Sequence, residues 1–431
     1  MDHSIDDIYQ VFKAHPWVST DSRQVKPGSL FFALRGESFN GNEFAGLALQ
    51  SGAVCAVVDE PKYALNASCI LVDDVLSTLQ ALSQYHRMQF DIPVIAITGT
   101  NGKTTTKELI CGVLSKRYRT LATQGNLNNH IGVPLTLLNL TPETEIAVIE
   151  MGASHPGEID FLCNIALPGY GLITNIGKAH LEGFGSYEGV IGTKTELYRF
   201  IREHGGRIFC NNDDEVLRQH SEGLKTITYG TPPADVVADH LTADPFVTMD
   251  IHLHDGIILS VESRLYGRYN EGNILAAACI GQYFGVPPGK IKSAIEEYQP
   301  GNNRSQISKT DHNLLILDAY NANPSSMRAA IETFAASPYP EKIIILGDML
   351  ELGIEADTEH RAILSLIGQL SFKEVYLVGP VFTRLNSTRQ NICFQDTMLA
   401  RMWFEYHRIE NATVLIKGSR GIRLEKLADV L

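Results

Sequence analysis

The residues best suited to chemistry lie in one glycine-rich segment, residues 95–109, which reads IAITGTNGKTTTKEL. An apolar run of strand length comes before the turn, and the residues after it predict a helix. Gly99 and Gly102 let the backbone turn sharply and point N–H groups into a concavity, to which the helix adds the positive end of its dipole. Lys103 supplies a charge for the β- and γ-phosphates of a nucleotide, and the Thr104 hydroxyl suits Mg²⁺. The expected phosphate-binding residues are Gly99, Thr100, Asn101, Gly102, Lys103, Thr104 and Thr105.

The spacing G-x-x-G-K-T is shorter than that of the general phosphate-binding loop. The prediction of a nucleotide site therefore depends on the strand before the turn and the helix after it. The alternative is a strand–helix turn that contains an incidental lysine.

Three further residues could hold metal ions beside this loop. Glu150 ends the apolar run EIAVIEM, and parallel strands bring their carboxyl ends to one edge of a sheet, so its carboxylate can bind Mg²⁺ there. His180 follows the next apolar run and can complete a second metal site. Lys194 stands with Glu196 in a predicted helix. The alternative roles are helix capping for Glu150, a structural or exposed histidine, and a surface lysine.

Polar residues also end the apolar runs of the last third of the chain, in LDAYNANPSSM, LGDMLELG and LIKGSRG. Carboxylates suit ribose hydroxyls or an incoming ammonium group, and lysine and arginine suit a carboxylate or phosphate. Helix capping explains Asn323 and Ser325 equally well. Arg304 precedes this region and could reach a phosphate on domain closure, or it could be a solvated hinge residue. The residues expected at this edge are Asp318, Asn321, Asn323, Asp348, Lys417, Ser419 and Arg420.

A chain of 431 residues is too long for one hydrophobic core, and its apolar runs predict an α/β protein of three domains. The first is a small α/β domain with strands at 28–34 and 53–58 and a helix between them. The second repeats strand, turn and helix around a mostly parallel sheet, with an antiparallel hairpin at 247–263. The third is a Rossmann-like, doubly wound domain. The expected boundaries are 1–88, 89–304 and 305–431.

Composition excludes several classes of function. A net charge of −13 argues against a broad surface for nucleic acid or anionic membranes. No run of about eighteen apolar residues is present, as a transmembrane helix would need. The seven cysteines are scattered and form no C-x-x-C pair, which argues against a disulfide framework or a zinc site. We expect a soluble cytoplasmic protein whose phosphate binding is local.

Several long segments, in order along essentially the whole chain, resemble the Mur ligase family of ATP-dependent ligases that extend the UDP-linked peptidoglycan precursor. Within that family they look like the member that adds D-alanyl-D-alanine to UDP-N-acetylmuramoyl-tripeptide. The third residue of the tripeptide is left open between diaminopimelate and lysine. The segments are TGTNGKTTTKE, GNLNNHIGVPLTLL, EMGASHPGEI, TNIGKAHLEGFGS, YNANPSSM, LGDMLELG with His360 downstream, and KGSRG.

The resemblance implies an ATP- and Mg²⁺-dependent site. It implies that Lys103 and Thr104 bind ATP and Mg²⁺, that Glu150 and His180 bind Mg²⁺, and that Lys194 is carbamylated and assists a second Mg²⁺. The adenine contact would come from Asn270 or Asn273 in GRYNEGN, where the family more often has His-Asn and this chain has Tyr269-Asn270. Arg304 and Asp318 are further expected nucleotide contacts.

The resemblance also implies where the UDP-linked substrate binds and how it reacts. The segment STDSRQVKPGSLFFALRGESFNG looks like the family's UDP-sugar domain. The tripeptide carboxylate would attack the ATP γ-phosphorus, and the amine of D-alanyl-D-alanine would then attack the acyl phosphate, releasing phosphate beside ADP. Family members are mostly monomers. The expected UDP-substrate contacts are Ser22, Arg23 and Gly36 in the first domain and Asn126, Asn128 and Asn129 in the second.

Three alternative functions predict different sequence features. A sister ligase that adds a diamino acid would carry an Asp-Asn-Pro-Arg motif, where this chain has YNANPSSM. A folylpolyglutamate synthetase would not need the first domain. A nucleotide-dependent regulatory protein would bind ATP without turnover, and Glu150, His180 and Lys194 together argue against it.

Overall fold

The structure, a computed structural model, describes residues 4–301, 303–386 and 391–431. Its N-terminal part contains a sheet of order β1-β2-β5-β6 in which every pair is parallel, and a short antiparallel pair, β3 and β4. The two predicted strands are confirmed in shorter form as β2 and β5. The predicted helix between them is α2, preceded by a 3₁₀ turn. The elements are β1 (Val18–Ser19), β2 (Leu30–Phe32), β3 (Arg35–Gly36), β4 (Phe39–Asn40), β5 (Cys55–Val58), β6 (Cys69–Leu71), α1 (Ile5–Ala14), α2 (Ala45–Gln50) and α3 (Val75–Arg87).

Helix α3 joins the N-terminal part to the central part through buried polar contacts. The Arg87 guanidinium donates hydrogen bonds to the carbonyls of Ala166 and Phe90. His86 contacts the Leu140 carbonyl through Nε2 at 3.0 Å. The Ala166 carbonyl, at the end of α6, and the Leu140 carbonyl belong to the central part, so these bonds fix α3 against it.

The central part is built on a nine-stranded sheet of order β15-β14-β13-β12-β11-β10-β7-β9-β8. It is parallel from β8 to β13, and β13, β14 and β15 pair antiparallel. The predicted hairpin is confirmed as β14 and β15. The strands are β7 (Val94–Thr98), β8 (Thr120–Ala122), β9 (Ile146–Glu150), β10 (Tyr170–Ile173), β11 (Arg207–Asn211), β12 (Lys225–Gly230), β13 (Val236–Ala243), β14 (Phe246–His252) and β15 (Ile258–Tyr266).

Helices cover this sheet and supply the residues that follow the strand ends. Helix α4 begins at Lys103, where the sequence predicted a helix, and it packs against α11. The helices are α4 (Lys103–Leu114), α5 (Gly132–Leu137), α6 (Glu158–Ala166), α7 (Leu181–Phe184), α8 (Tyr187–Lys194), α9 (Glu196–Glu203), α10 (Glu215–His220), α11 (Glu271–Tyr283) and α12 (Pro288–Glu297).

The C-terminal part has a six-stranded sheet of order β16-β17-β21-β18-β19-β20, parallel except for β16. The four predicted strands are confirmed as β17, β18, β19 and β21, and the predicted three-domain α/β fold is confirmed. The elements are β16 (Gln306–Lys309), β17 (Leu314–Asp318), β18 (Lys342–Gly347), β19 (Glu374–Val378), β20 (Ile392–Phe394), β21 (Thr413–Lys417), α13 (Pro324–Ala336), α14 (Ala356–Gly368), α15 (Pro380–Leu385) and α16 (Thr397–Tyr406).

One apolar cluster continues from the central sheet into the C-terminal part. It includes Tyr266 at the end of β15 together with Met327, Ile331 and Phe334 of α13, all buried. This packing places helix α13 of the C-terminal part against the end of edge strand β15 of the central sheet. Among the described residues, no helix combines the length and the apolar character needed to cross a membrane.

Candidate active site

A cavity of about 940 Å³ lies between the central and C-terminal parts and is lined by both. Residues from separate sequence motifs line it together, and some of these motifs are more than two hundred positions apart in the chain. The predicted residues that line it are Thr100, Asn101, Gly102, Lys103, Thr104, Thr105, Asn126, Asn128, Asn129, Glu150, His180, Asn270, Asn273, Arg304, Asp318, Asn321, Asn323 and Lys417.

The turn between β7 and α4 has room only for glycine at two positions. Gly99 has φ +142°, and a Cβ there would lie 2.0 Å from Thr174 Oγ1. Gly102 has φ +78°, and a Cβ there would lie 2.6 Å from Asn273 Oδ1. Both positive φ values and both close approaches exclude a side chain. Gly99 does not line the cavity itself, but it shapes the turn that does.

A neighbouring strand end holds the turn in place. The Asn101 N–H donates a 3.0 Å hydrogen bond to Asn175 Oδ1, and Asn175 Nδ2 donates one of 3.0 Å back to the Asn101 carbonyl. The Thr100 N–H donates to the Asn175 backbone carbonyl at 3.0 Å. The residue after β10 therefore fixes the loop at the N-terminus of α4, where anions bind favourably.

Lys103 lies at this N-terminus with its ammonium group against the loop. Its Nζ donates hydrogen bonds to the Gly99 and Thr100 carbonyls at 2.5 and 3.0 Å. Burial lowers the pKa of Lys103 to about 8; the nearby Glu150 carboxylate opposes this effect, and the Arg304 guanidinium adds to it. An anion in the cavity would favour the charged form of this lysine.

Glu150 is 1% exposed and ends β9 beside the loop. Its Oε1 accepts hydrogen bonds from Thr104 Oγ1 at 3.2 Å and from Asn128 Nδ2 at 2.9 Å. Its Oε2 lies 3.7 Å from Lys107 Nζ and has no hydrogen-bond partner among the described residues. A buried carboxylate with unused lone pairs beside a threonine hydroxyl offers the hard oxygen donors that suit Mg²⁺. These residues therefore fit the ion that the sequence implied.

His180 lines the same cavity but pairs with a residue of the C-terminal part. Its Nδ1 lies 2.5 Å from Glu351 Oε2. Both residues have positive φ, +50° and +63° respectively. This contact joins two loops that line the cavity, and it occupies Nδ1 of His180.

Lys194 lies behind the cavity wall and does not line it. The side chain is 2% exposed, and its Nζ lies 5.4 Å from the centre of the Phe184 ring. Burial, with the charge of Lys103 as a second cause, lowers the pKa of Lys194 to about 7; Glu158 and Glu196 act in the opposite direction. Burial therefore favours the neutral form of this amine.

The C-terminal wall carries two polar arrangements. Lys417, 2% exposed, donates a 2.6 Å hydrogen bond to Asp318 Oδ2 and one of 3.3 Å to the Asn321 carbonyl. The Arg304 guanidinium lies 3.6 Å from the centre of the Tyr320 ring. These contacts hold a carboxylate and two cations at the edge of the second sheet.

The C-terminal part contacts the phosphate loop directly. Asn323 Nδ2 donates a 2.8 Å hydrogen bond to Asn101 Oδ1, and Asn323 Oδ1 accepts from the Ser326 N–H as the cap of α13. Lys178 Nζ pairs with Glu359 Oε1 at 2.7 Å. The two large parts therefore meet around the cavity.

Two residues expected at the C-terminal crevice are instead buried in structural contacts. Asp348 is fully buried, and its carboxylate accepts the N–H groups of Val381 and Phe382 at the start of α15. Ser419 Oγ accepts from the Leu350 N–H and donates to the Ala322 carbonyl. Because each of these partners is protein backbone, we interpret both residues as supports of the C-terminal loops, and their expected role as substrate contacts stays a prediction.

Four other predicted contacts also lie outside the cavity. Arg420 is exposed and lies 5.1 Å from the Tyr320 ring. In the N-terminal part, Ser22 and Arg23 stand in a 3₁₀ turn, and Arg23 pairs with Asp21 while 84% exposed. Gly36 is exposed on β3. The structure does not bring these N-terminal residues to the phosphate loop.

Asn270 and Asn273 form a buried hydrogen-bond chain. Asn273 Nδ2 donates to Asn270 Oδ1 at 2.8 Å, and Asn273 Oδ1 accepts from Thr106 Oγ1 at 2.8 Å. Asn270 Nδ2 donates to the Tyr266 carbonyl. Asn273 thus ties α11 to α4, Asn270 ties the start of α11 to the end of β15, and both residues line the cavity.

Sequence reasoning missed several residues of the cavity wall, namely Asn175, Tyr320 and Glu351. Asn175 and Tyr320 each follow a strand of a parallel sheet by two residues, so the strand-end rule that singled out Glu150 could have found both. Glu351 had no such signal, because its place opposite His180 depends on how the two parts pack.

Comparison with known proteins gives matches along the chain. Residues 97–281 match the Mur ligase middle domain, residues 303–420 match the Mur ligase glutamate ligase domain, and residues 17–88 match the Mur ligase family catalytic domain. The UDP-N-acetylmuramoyl-tripeptide–D-alanyl-D-alanine ligase of Bacillus subtilis strain 168 is 35% identical, over 95% of this chain and 92% of its own length.

Solved structures agree in fold along the whole chain. MurF from Acinetobacter baumannii superposes with a TM-score of 0.88 at 31% identity, covering 98% of this chain and 97% of its own. The MurF ligase of Thermotoga maritima, in complex with ADP, gives a TM-score of 0.85 at 27% identity and covers 97% of both chains.

Proposed function

The chain belongs to the Mur ligase family, and from this premise we infer that it joins D-alanyl-D-alanine to UDP-N-acetylmuramoyl-tripeptide at the expense of ATP. The products are the UDP-muramoyl-pentapeptide precursor of peptidoglycan, ADP and phosphate. In addition to similarity, one structural observation supports this function. The phosphate loop of the central part lines the same cavity as Asp318, Asn321 and Lys417 of the C-terminal part.

ATP binds at the turn before α4. The ADP complex of the Thermotoga maritima relative supports the use of ATP, and the two glycines without room for a side chain support this turn as its place. Lys103 leaves the loop carbonyls to meet the β- and γ-phosphates, and the N-terminus of α4 contributes its N–H groups. Thr100, Asn101 and Thr105 complete the loop. Asn270, Asn273, Arg304 and Asp318 are the proposed contacts to the rest of the nucleotide.

We assign one Mg²⁺ to Thr104 and Glu150. We assign a second Mg²⁺ to His180 and to Lys194, the latter as its carbamate. The unused Oε2 of Glu150 supports the first position. When bound, Mg²⁺ would neutralise charge on the transferring phosphoryl group. For the second position, the support is the lowered pKa of Lys194, about 7, because only a neutral amine reacts with CO₂ to form a carbamate. Glu351 would have to release His180 for it to bind a metal ion.

Residues of the chain then act in successive steps of the reaction. Lys103 offsets the charge that develops when an oxygen of the tripeptide carboxylate attacks the γ-phosphorus. The resulting acyl phosphate loses phosphate when the dipeptide amine attacks its carbonyl carbon. We expect closure of the C-terminal part over the cavity, with contacts such as Asn323 to Asn101, to exclude water from this reactive anhydride. Lys417 and Asn321 are the proposed contacts to the dipeptide.

The UDP end of the substrate is held far from the reacting carboxylate. Binding of this remote end positions the carboxylate for reaction. We propose Ser22, Arg23 and Gly36 of the N-terminal part for this end, and Asn126, Asn128 and Asn129 along the path to the loop. The three asparagines line the cavity. We place the domain boundaries at 1–88, 89–304 and 305–431. The enzyme acts as a monomer in the cytoplasm, on substrates dissolved there.

The test is phosphate release by the purified chain with ATP, Mg²⁺ and UDP-N-acetylmuramoyl-tripeptide, with and without D-alanyl-D-alanine. We expect release, and a mass gain of one dipeptide in the product, only when the dipeptide is present. Free alanine and a diamino acid are the controls. Product formation with a single amino acid would identify a sister ligase instead, and ATP binding without any release would identify a regulatory protein.

A further inference from the structure

A second group of metal-ligating side chains lies on the solvent face of the antiparallel end of the central sheet. Asp239 of β13 stands directly opposite Asp250 of β14 in the strand register. Like charges directly opposite each other destabilise a strand pair unless a cation lies between them. A β-bulge follows Asp239, and in it His240 has φ +48°. The bulge turns the imidazole of His240 towards the two carboxylates.

The donor atoms of this group already have the spacing of metal ligands. His240 Nδ1 lies 2.9 Å from Asp250 Oδ2 and 3.3 Å from Asp239 Oδ1. One ligand atom from each of the three residues lies within 4.8 Å of the other two. In a tetrahedral zinc site with bonds of about 2.1 Å, neighbouring ligand atoms are about 3.4 Å apart. Small side-chain rotations would therefore be enough to surround an ion.

A fourth donor stands at the edge of the group. His252 lies two residues beyond Asp250 on β14, hence on the same face, and its Nε2 is 3.0 Å from Asp239 Oδ2. This nitrogen is shielded from solvent, and its approach to Asp239 Oδ2 lacks the geometry of a hydrogen bond. Two carboxylates and two imidazoles are a ligand set that suits Zn²⁺ and similar divalent transition metals.

We propose that Asp239, His240, Asp250 and His252 form a binding site for a divalent transition-metal ion, with Zn²⁺ the best match, separate from the ligase cavity. None of the four lines that cavity. On binding, His240 gives up its proton, and the two carboxylate charges balance the ion. The ion would fasten the bulge of β13 to β14 and so stabilise the antiparallel end of the sheet.

The experiment titrates the full chain with Zn²⁺ by calorimetry in a chelator-free buffer with a phosphine reductant. Asp250→Asn and His240→Gln are compared with His254→Gln, which alters a 77% exposed histidine next to the same hairpin, 3.9 Å from Asp235. We expect wild type and His254→Gln to bind one more equivalent than the other two variants, or to bind it at least about tenfold more tightly. Zn²⁺ should also raise the unfolding temperature of wild type and His254→Gln, and not that of Asp250→Asn or His240→Gln.

Equal stoichiometry and affinity in all four proteins would overturn the proposal and would assign any bound Zn²⁺ to the cysteines or the ligase cavity. Absence of saturable binding to wild type would overturn it as well. Substitution of Co²⁺ gives a second measurement: the visible absorption of a four-coordinate ion should be seen with wild type and lost in Asp250→Asn. If one variant fails to fold, Asp239→Asn replaces it in both measurements.

Discussion

Asn323 of the C-terminal part donates a 2.8 Å hydrogen bond to Asn101 in the phosphate loop of the central part. The two residues are 222 positions apart in the chain. The bond connects the cap of α13 to the loop before α4, so the positions of two helix N-termini around one cavity depend on each other. The C-terminal part therefore contacts the proposed nucleotide-binding loop directly.

This bond can be removed without uncapping α13. Asn323→Asp keeps the oxygen that accepts from the Ser326 N–H but loses the amide that donates to Asn101. We expect kcat/KM for ATP to fall about tenfold, because a lost hydrogen bond of about 1 kcal/mol is joined by a new negative charge near the phosphates. Steady-state phosphate release measures this effect. Wild-type kinetics in the variant would show that the bond does not couple closure to nucleotide binding.

Asn323→Ala is the companion variant, because it removes both the bond and the cap. Its free energy of unfolding should fall by about 1 kcal/mol, whereas that of Asn323→Asp should stay close to wild type. Chemical denaturation of the two variants separates the coupling role from the capping role.

Lys103→Ala removes the ammonium group from the phosphate loop. We expect ATP-dependent phosphate release to fall by about 10²-fold or more, since preorganised charge at the transferring group is lost. Binding of the UDP-linked tripeptide, measured by calorimetry without nucleotide, should change less than about twofold. Lys116→Ala is the matched control near the other end of α4, where the lysine pairs with Glu297. Survival of release in Lys103→Ala would contradict the assignment of the loop.

Lys194 makes the stability of the chain depend on pH. Its pKa is about 7 when folded, and an unfolded lysine has a pKa of about 10.4. Between these values the unfolded chain binds a proton that the folded chain does not, so stability falls as pH is lowered from about 10 to about 7 and then levels off. In CO₂-free buffer, the gain in unfolding free energy from pH 7 to pH 9 should be about 2 kcal/mol smaller for Lys194→Met than for wild type. Identical pH dependence in the two proteins would show that Lys194 is not buried as described.

Asp348 provides a test of a structural role against a binding role. Asp348→Ala leaves the N–H groups of Val381 and Phe382 without their acceptor, and we expect the free energy of unfolding to fall by about 2–3 kcal/mol. At a temperature where the variant is folded, KM for D-alanyl-D-alanine should match wild type. A raised KM with unchanged stability would instead support the predicted substrate contact.

The sequence was informative wherever local pattern decides structure. The apolar runs before Gly99 and Glu150 became buried parallel strands, because a strand covered on both faces needs an unbroken apolar run. Strand β13 was not predicted, since its residues are mostly exposed or half-buried and show no apolar alternation. Its pairing with β14 comes from the hairpin beside it.

Position at a strand end proved insufficient to tell a cavity residue from a buried support. Asp318 and Asp348 both follow or end strands of the same sheet, yet Asp318 lines the cavity and Asp348 lies beneath α15. The difference arises from a helix that begins more than thirty residues later in the chain. The sequence around Asp348 contains no pattern that predicts this contact.

The central claim, transfer of a phosphoryl group to the tripeptide carboxylate, is tested most directly with an oxygen label. The UDP-linked tripeptide is prepared with ¹⁸O in its terminal carboxylate and incubated with the enzyme, ATP, Mg²⁺ and D-alanyl-D-alanine. Attack by that carboxylate on the γ-phosphorus predicts that each phosphate released carries one oxygen from the tripeptide, which mass spectrometry detects. Unlabelled phosphate, formed at the same rate as the pentapeptide product, would contradict the account.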